Sequence, residues 1–211
     1  MTVRPSLGRE RGWLVRREEL EHLLRAAGDV LGETALVVIG SQAVLATAPE
    51  WELPPIAMMS VEADLIAFDD TDDAKADLVD GVLGEGSMFH ETHGIYAQGV
   101  GFETIVAPQG WRDRLIAYSN GNTNGVTGWC LEIHDLWVAK MVAAREKDFA
   151  FCRALLDADL VDPGVLRDRI AIVPLGPVFH TLLEARCNGV LASHRRTPRV
   201  GRDPDVGIDP T

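Results

Sequence analysis

Two acids one residue apart, Glu62 and Asp64, sit in a largely apolar run, Ile56 to Phe68 (IAMMSVEADLIAF). In an extended chain residues i and i+2 share a face, so both carboxylates would point one way while Val61, Ala63 and Leu65 point the other. Carboxylate oxygens are preferred ligands of Mg²⁺. A pair of them can hold an ion that bridges a nucleoside triphosphate and activates an attacking oxygen. Upstream, Gly40-Ser41 falls where an apolar run meets a helical pattern. There the backbone can approach a phosphate, with amide donors at the helix N-terminus. Plainer readings stand beside these. Gly-Ser is also an ordinary strand–helix turn, and two acids on the solvated face of an edge strand need no function. Like charges a few ångströms apart repel unless a cation or donors compensate them, which favours a metal.

A second candidate group lies downstream. Lys140 interrupts the apolar stretch LWVAKMVAA, and Arg145-Glu146-Lys147-Asp148 follows. On one continuous helix Lys147 would fall about 20° from Lys140 and Asp148 about 80° from it. The two lysines would then make one cationic stripe facing a triphosphate. Alternatively Lys140 snorkels to water and the charges after it are solvated or salt-bridged. His90, Glu91 and His93 invite a metal reading, but the spacing HExH differs from the helical HExxH pair. No GxSxG supports a serine hydrolase. Cys130, Cys152 and Cys187 are far apart and form no zinc-ligand pattern, so buried thiols are expected. The five tryptophans are scattered, which fits packing better than a base-stacking platform.

The elements that must position these residues follow from periodicity and punctuation. Arg17 to Gly32 reads as a helix, with Leu20, Leu23, Leu24, Ala27 and Leu31 at helical spacing and Gly32 as its stop. Ala35 to Ile39 suits a buried strand, and Gln42 to Ala48 the first turns of a helix before Pro49, Pro54 and Pro55 break the pattern. Ile56 to Phe68 is the acid-bearing strand, Asp69 to Asp73 a turn, and Ala74 to Leu83 a helix. His93 to Val100 and Glu103 to Ala107 are expected as strands, Trp111 to Tyr118 as helix or strand, and Trp129 to Ile133 as a short strand after a polar loop. From Asp135, a candidate cap, the reading is helical: to about Arg145, then Glu146 to Leu156 continuing or restarting, Asp162-Pro163 to Ile170, and Pro177 to Val190. No internal repeat is present.

The chain has 211 residues, 46% of them hydrophobic, and can bury a core without staples. Its net charge of −12 argues against a general nucleic-acid binder, because phosphate contacts supply most of that affinity. A small-molecule or protein substrate sits more easily with this charge, although a local basic surface could hold a polynucleotide. No apolar run reaches the roughly 18 residues of a membrane span, and the charged N-terminus lacks a signal-peptide core. A cytoplasmic protein with no membrane partner is expected.

The order strand, Gly40-Ser41, helix, Glu62-x-Asp64 strand resembles the nucleotidyltransferase superfamily with the DNA polymerase β type of fold. The segment from His134-Asp135-Leu136 to Lys140, with Arg145 to Asp148, resembles more specifically the small bacterial nucleotidyltransferase-like proteins related to AbiE-type toxins of toxin–antitoxin systems. Phe89-His90-Glu91-Thr92 and Gly110-Trp111-Arg112-x-Arg114 are similar to segments of that group, and the resemblance spans residues 35 to 160. It implies an α/β (α+β) architecture, a mixed sheet flanked by helices. The pattern of elements places that core over residues 1–133 and a helical C-terminal part over 134–193, and the Pro/Gly/charge-rich composition marks a flexible tail over 194–211.

In function, the resemblance implies Mg²⁺-dependent transfer of a nucleoside monophosphate from a nucleoside triphosphate to an RNA (tRNA) or protein acceptor, with an antitoxin as partner where the role is that of a toxin. Carried over by position, Glu62 and Asp64 bind the metal and, with Lys140, form the catalytic group. Gly40, Ser41, Ser60, Lys140, Lys147 and Asp148 belong to the nucleotide site. In relatives the Ser60 position can be a regulated hydroxyl; here it equally suits a backbone-satisfying role. Two departures stand out. The first acid is Glu62 where Asp is commoner, and the strand at Ile95 to Val100 offers no third acid, for which Glu91 and Glu103 are imperfect substitutes. A non-catalytic nucleotide-binding or protein-interaction module that keeps the fold is the alternative.

Overall fold

The computed structural model describes residues 16–194. The basic leader with Trp13, and all of the tail but His194, lie outside them. The first helix, α1 (Arg17–Leu31), buries Leu20, Leu23, Leu24 and Ala27 and stops at Gly32, whose φ of 69° is left-handed. Five strands form one mixed sheet among the described residues: β1 (Ala35–Val38), β2 (Glu62–Ala67), β3 (Tyr96–Gly99), β4 (Ile116–Tyr118) and β5 (Thr127–Cys130). Their order is β3-β2-β1-β5-β4. β1 runs antiparallel to β2 and parallel to β5, β2 parallel to β3, and β4 antiparallel to β5. The acid-bearing strand is therefore interior, not an edge.

Helices cover this sheet. α2 (Ala74–Leu83) and α3 (Met88–His93) connect β2 to β3, and α4 (Ile133–Ala143), α5 (Glu146–Asp157), α6 (Pro163–Ala171) and α7 (Pro177–Ser193) follow β5. One hydrophobic core runs from Leu20 through the sheet to Val190 and includes the fully buried Trp137, whose indole N–H donates to the Cys152 carbonyl at 2.9 Å. The mixed sheet, flanking helices and helical C-terminal part agree with the architecture expected above. The three cysteines are free and buried. Among the described residues no helix is long and apolar enough to cross a membrane.

Several expected boundaries move. Gln42 to Ala48 forms a short 3-10 turn, Ser41–Ala46, because Pro49 restricts the residue before it and such turns seldom run longer. Ile56 to Phe68 divides into a 3-10 turn, Pro55–Met58, and the strand Glu62–Ala67. Pro54-Pro55 fixes the helical start. His93 belongs to α3, which Ser87 caps by accepting the His90 amide, so β3 begins only at Tyr96. Glu103 to Ala107 is not a strand: Phe102–Thr104 is a 3-10 turn, and β4 pairs at the far edge instead. Trp111–Arg114 is likewise 3-10, ahead of β4. α4 is capped by Glu132, which accepts the amides of His134 and Asp135 at 3.0 and 3.2 Å. Asp135 is instead buried against the Arg114 guanidinium at 2.8 and 3.0 Å and Arg169 at 3.2 Å.

The polar loop after β4 has a packing role. Glu21 on α1 is buried and accepts from the Tyr118 hydroxyl, Asn120 and Asn122 at 2.5, 2.6 and 2.8 Å. A buried carboxylate is tolerated only with such partners.

Two glycines separate close packing from mere flexibility. A Cβ at Gly99 on β3 would lie 2.2 Å from the Ala76 carbonyl oxygen of α2, whereas one at Gly81 meets nothing within 4 Å. Gly99→Ala is expected to lower stability by about 2 kcal/mol or more, since backbone must give way. Gly81→Ala should raise it by about 0.5–1 kcal/mol. Urea unfolding midpoints of the two variants check this pair of opposite signs.

Candidate active site

β1 ends beside the acid-bearing strand. Val38 pairs with Leu65, and the Ile39 amide donates to the Asp64 carbonyl at 3.2 Å. Gly40 follows with its Cα against the Asp64 side chain: a Cβ there would stand 1.8 Å from Oδ2. Glycine is thus required for the observed position of the carboxylate. The turn after it directs Gln42 inward, where its amide nitrogen donates to the Ser60 carbonyl at 2.9 Å. Ser60 in turn accepts from the Glu62 amide at 3.3 Å and donates to the Glu62 carbonyl at 3.2 Å, setting the start of β2. Along β2, Ala63 and Leu65 are buried while Glu62 and Asp64 face a cavity.

β3 completes this face. Tyr96 pairs in register with Glu62 and Gln98 with Asp64. The Tyr96 hydroxyl donates to Glu62 Oε2 at 3.1 Å. Burial, then the Glu62 charge and this bond, push the phenol up to about 12. Sequence reasoning passed over both residues. Their signal was the alternation Tyr96-Ala97-Gln98 about an alanine that is fully buried.

The cations arrive from the other side. Between α4 and α5 the chain turns at Ala144, with φ of 55°. Asp148 caps the restarted helix: its Oδ2 accepts from the Arg145 amide at 3.2 Å and from Arg145 Nε at 2.7 Å. Its Oδ1 lies 3.3 Å from Lys140 Nζ, which also sits 4.6 Å from the Phe151 ring centroid. Burial alone would raise the Asp148 carboxyl, but Arg145 and Lys140 hold it below the ordinary carboxylate range. Lys140 and Lys147 therefore do not share one continuous helix, although both reach the same cavity.

That cavity has a volume of about 690 Å³, and every residue that the family resemblance assigned to the metal or the nucleotide lines it. Carboxylates stand on the sheet side, cations on the helix side, and Ile56, Met59 and Val106 add an apolar wall. Two acids on an interior strand, opposed by cations across a cavity, can bind a polyanion together with a metal ion.

A family model described as "Nucleotidyltransferase of unknown function (DUF6036)" matches residues 17–173. The chain belongs to this nucleotidyltransferase family. No curated protein and no solved structure matches it. The family match runs from α1 to just past α6, so it encloses the whole cavity.

Elsewhere in the chain, His90, Glu91 and His93 do not converge. His90 Nδ1 accepts the Gly86 amide at 3.0 Å, and the His93 ring packs on His22 at a centroid distance of 4.4 Å. Among the described residues no three His, Cys, Asp or Glu side chains gather as a metal cluster, so Glu62 and Asp64 stand as a pair.

Electrostatics marks that pair. Burial, then the charge of Glu62 and a hydrogen bond shared with it, push Asp64 from 3.8 up to about 6, while Lys140 and Arg145 pull the other way. The folded state therefore holds a proton that the unfolded chain has already lost, and stability falls as pH rises from about 4 to about 6. The loss is on the order of 2–3 kcal/mol. In chelator, Asp64→Asn should match the parent near pH 4 and melt higher above about pH 7. Thermal melts across that range check it, and a pH-independent offset would contradict it.

Proposed function

We propose that this family member is a Mg²⁺-dependent nucleotidyltransferase that moves a nucleoside monophosphate from a nucleoside triphosphate to an RNA or protein acceptor. The reading rests above all on one arrangement: Glu62 and Asp64 faced across a single cavity by Lys140 and Arg145. The donor set suits a hard divalent cation, because it offers carboxylate oxygens side by side whose mutual repulsion a cation relieves. Glu62 and Asp64 would hold that ion, which when bound supplies charge to the reacting phosphoryl group and lowers the pKa of an attacking oxygen.

The remaining roles belong to the chain itself. Lys140, restrained by Asp148 and Phe151, would neutralise triphosphate charge from a fixed position, with Arg145 and Lys147 beside it. Gly40 and Ser41 would line the phosphates, and Ser60 would keep Glu62 in register. An acceptor oxygen attacks the α-phosphorus, the bond to the bridging oxygen breaks, and pyrophosphate leaves. tRNA is one acceptor consistent with the toxin resemblance. The net charge of −12 gives a protein side chain equal standing. A toxin role would bring an antitoxin partner, and three free thiols fit a cytoplasmic setting. A second reading, a nucleotide-binding or protein-interaction module without turnover, is favoured by one observation: Gln98 is neutral where it pairs with Asp64.

The test uses the purified chain, Mg²⁺ and each α-labelled triphosphate, with and without total tRNA, beside Glu62→Ala/Asp64→Ala. Label appearing on RNA or on protein, and reduced at least a thousandfold in the double variant, is expected for a step carried by metal and electrostatics (roughly 10²–10³ for each such group). Triphosphate binding without transfer would move the assignment to the second reading.

A further inference from the structure

The face of the sheet that carries the two acids has two further positions on β3, Tyr96 and Gln98, and neither is an acid. Because Ala97 is fully buried, Tyr96 and Gln98 stand on the side of Glu62 and Asp64, and Gln98 lines the same cavity. A primary amide offers a metal lone pairs but no charge. The one other carboxylate lining the cavity is Asp148, and both of its oxygens are engaged. Oδ2 accepts twice from Arg145, and Oδ1 lies 3.3 Å from both Lys140 Nζ and Arg145 Nη2. One oxygen of Glu62 is also taken, by the Tyr96 hydroxyl. Two anionic groups thus face the cavity on the sheet side, and the Lys140 ammonium, held at Asp148, stands across from them with Arg145 and Lys147 on the same side.

That inventory bears on how many divalent ions the site can hold. Two divalent ions repel each other four times as strongly as two unit charges at the same distance. A two-metal site, with ions about 3.5–4 Å apart, therefore needs bridging anionic ligands. Building on the nucleotidyltransferase reading above, we infer that this site takes a single divalent cation, held by Glu62 and Asp64. Gln98 sets that count, and the Lys140 ammonium supplies charge that a second ion would bring. Gln98 is exposed, so its replacement leaves the core untouched.

The count can be read without turnover. Mn²⁺ is titrated into the full chain, kept in excess over each α,β-methylene nucleoside triphosphate, and free ion is measured by electron paramagnetic resonance. One bound Mn²⁺ per nucleotide is expected for the parent and for Gln98→Ala, and two for the isosteric Gln98→Glu. Two ions in the parent, or no gain in Gln98→Glu, would overturn the inference while leaving the nucleotidyltransferase reading intact. If Glu62→Gln/Asp64→Asn keeps the parent's ion at unchanged affinity, the metal rests on the phosphates alone. The metal assignment of the proposed function then falls, and the single-ion inference with it.

Discussion

Pairing of Glu62 to Leu65 with β3, and of Leu65 to Ala67 with β1, fixes the backbone spacing of Glu62 and Asp64. They stand at i and i+2 on one face, and the Asp64 carboxylate is backed by the bare Cα of Gly40. Two unit charges at about 4 Å interact by roughly 4 kcal/mol at an effective dielectric of 20. That is a sizeable part of a net stability of about 5–15 kcal/mol. Once Asp64 is ionised the sheet therefore carries this repulsion, and the positive groups that oppose it must come from elsewhere in the chain. Lys140 and Arg145 do so, and both lower the Asp64 carboxyl against the larger effects of burial and Glu62. The helical part is thus tied to the sheet by charge as well as by the shared core. Under the proposed function the same repulsion, present before any ligand arrives, is what a divalent cation would relieve.

Bringing the cations to that place requires a break in the helix. On an unbroken helix Lys140 and Asp148 would be about 12 Å apart along the axis, at 1.5 Å per residue. In the structure Lys140 Nζ and Asp148 Oδ1 lie 3.3 Å apart, because the chain turns at Ala144. A left-handed alanine costs roughly 1–2 kcal/mol. The Asp148 cap and its ion pairs with Arg145 and Lys140 offset it. Asp148 is fully buried, so removing either cation would leave a poorly compensated charge, a costly state. The buried acid serves less as a ligand than as the anchor that fixes where two positive groups point.

This division explains what the sequence made legible. The acids on one strand face, the Gly40-Ser41 turn, the long helices and the all-helical C-terminal part are consequences of local period and punctuation, and could be read directly. The strand boundaries could not, because Pro54-Pro55 and the Ser87 cap override apolar runs that look extended. Asp135 carries the composition of a cap, yet its partners are Arg114, 21 residues away, and Arg169. Nothing local announces such a pairing. Gln98 and Tyr96 escaped for another reason. They are uncharged, and a search for acids sees only that the strand lacks one.

Seen on the sheet, the two departures from the usual nucleotidyltransferase pattern are coupled through β3. Glu62 is one methylene longer than the aspartate commoner at its position and would gain rotamer freedom, which weakens preorganisation. Tyr96, its register partner, removes part of that freedom by holding Oε2. Two residues further along the same strand, Gln98 leaves the face one negative charge short, so it places less demand on cations from the helix side. A longer acid with a phenol to steady it, and a neutral amide in a cavity that Lys140 lines from the helix side, make a self-consistent set. Replacing one member alone, the glutamate by aspartate or the amide by an acid, would leave its neighbour matched to a site that no longer exists.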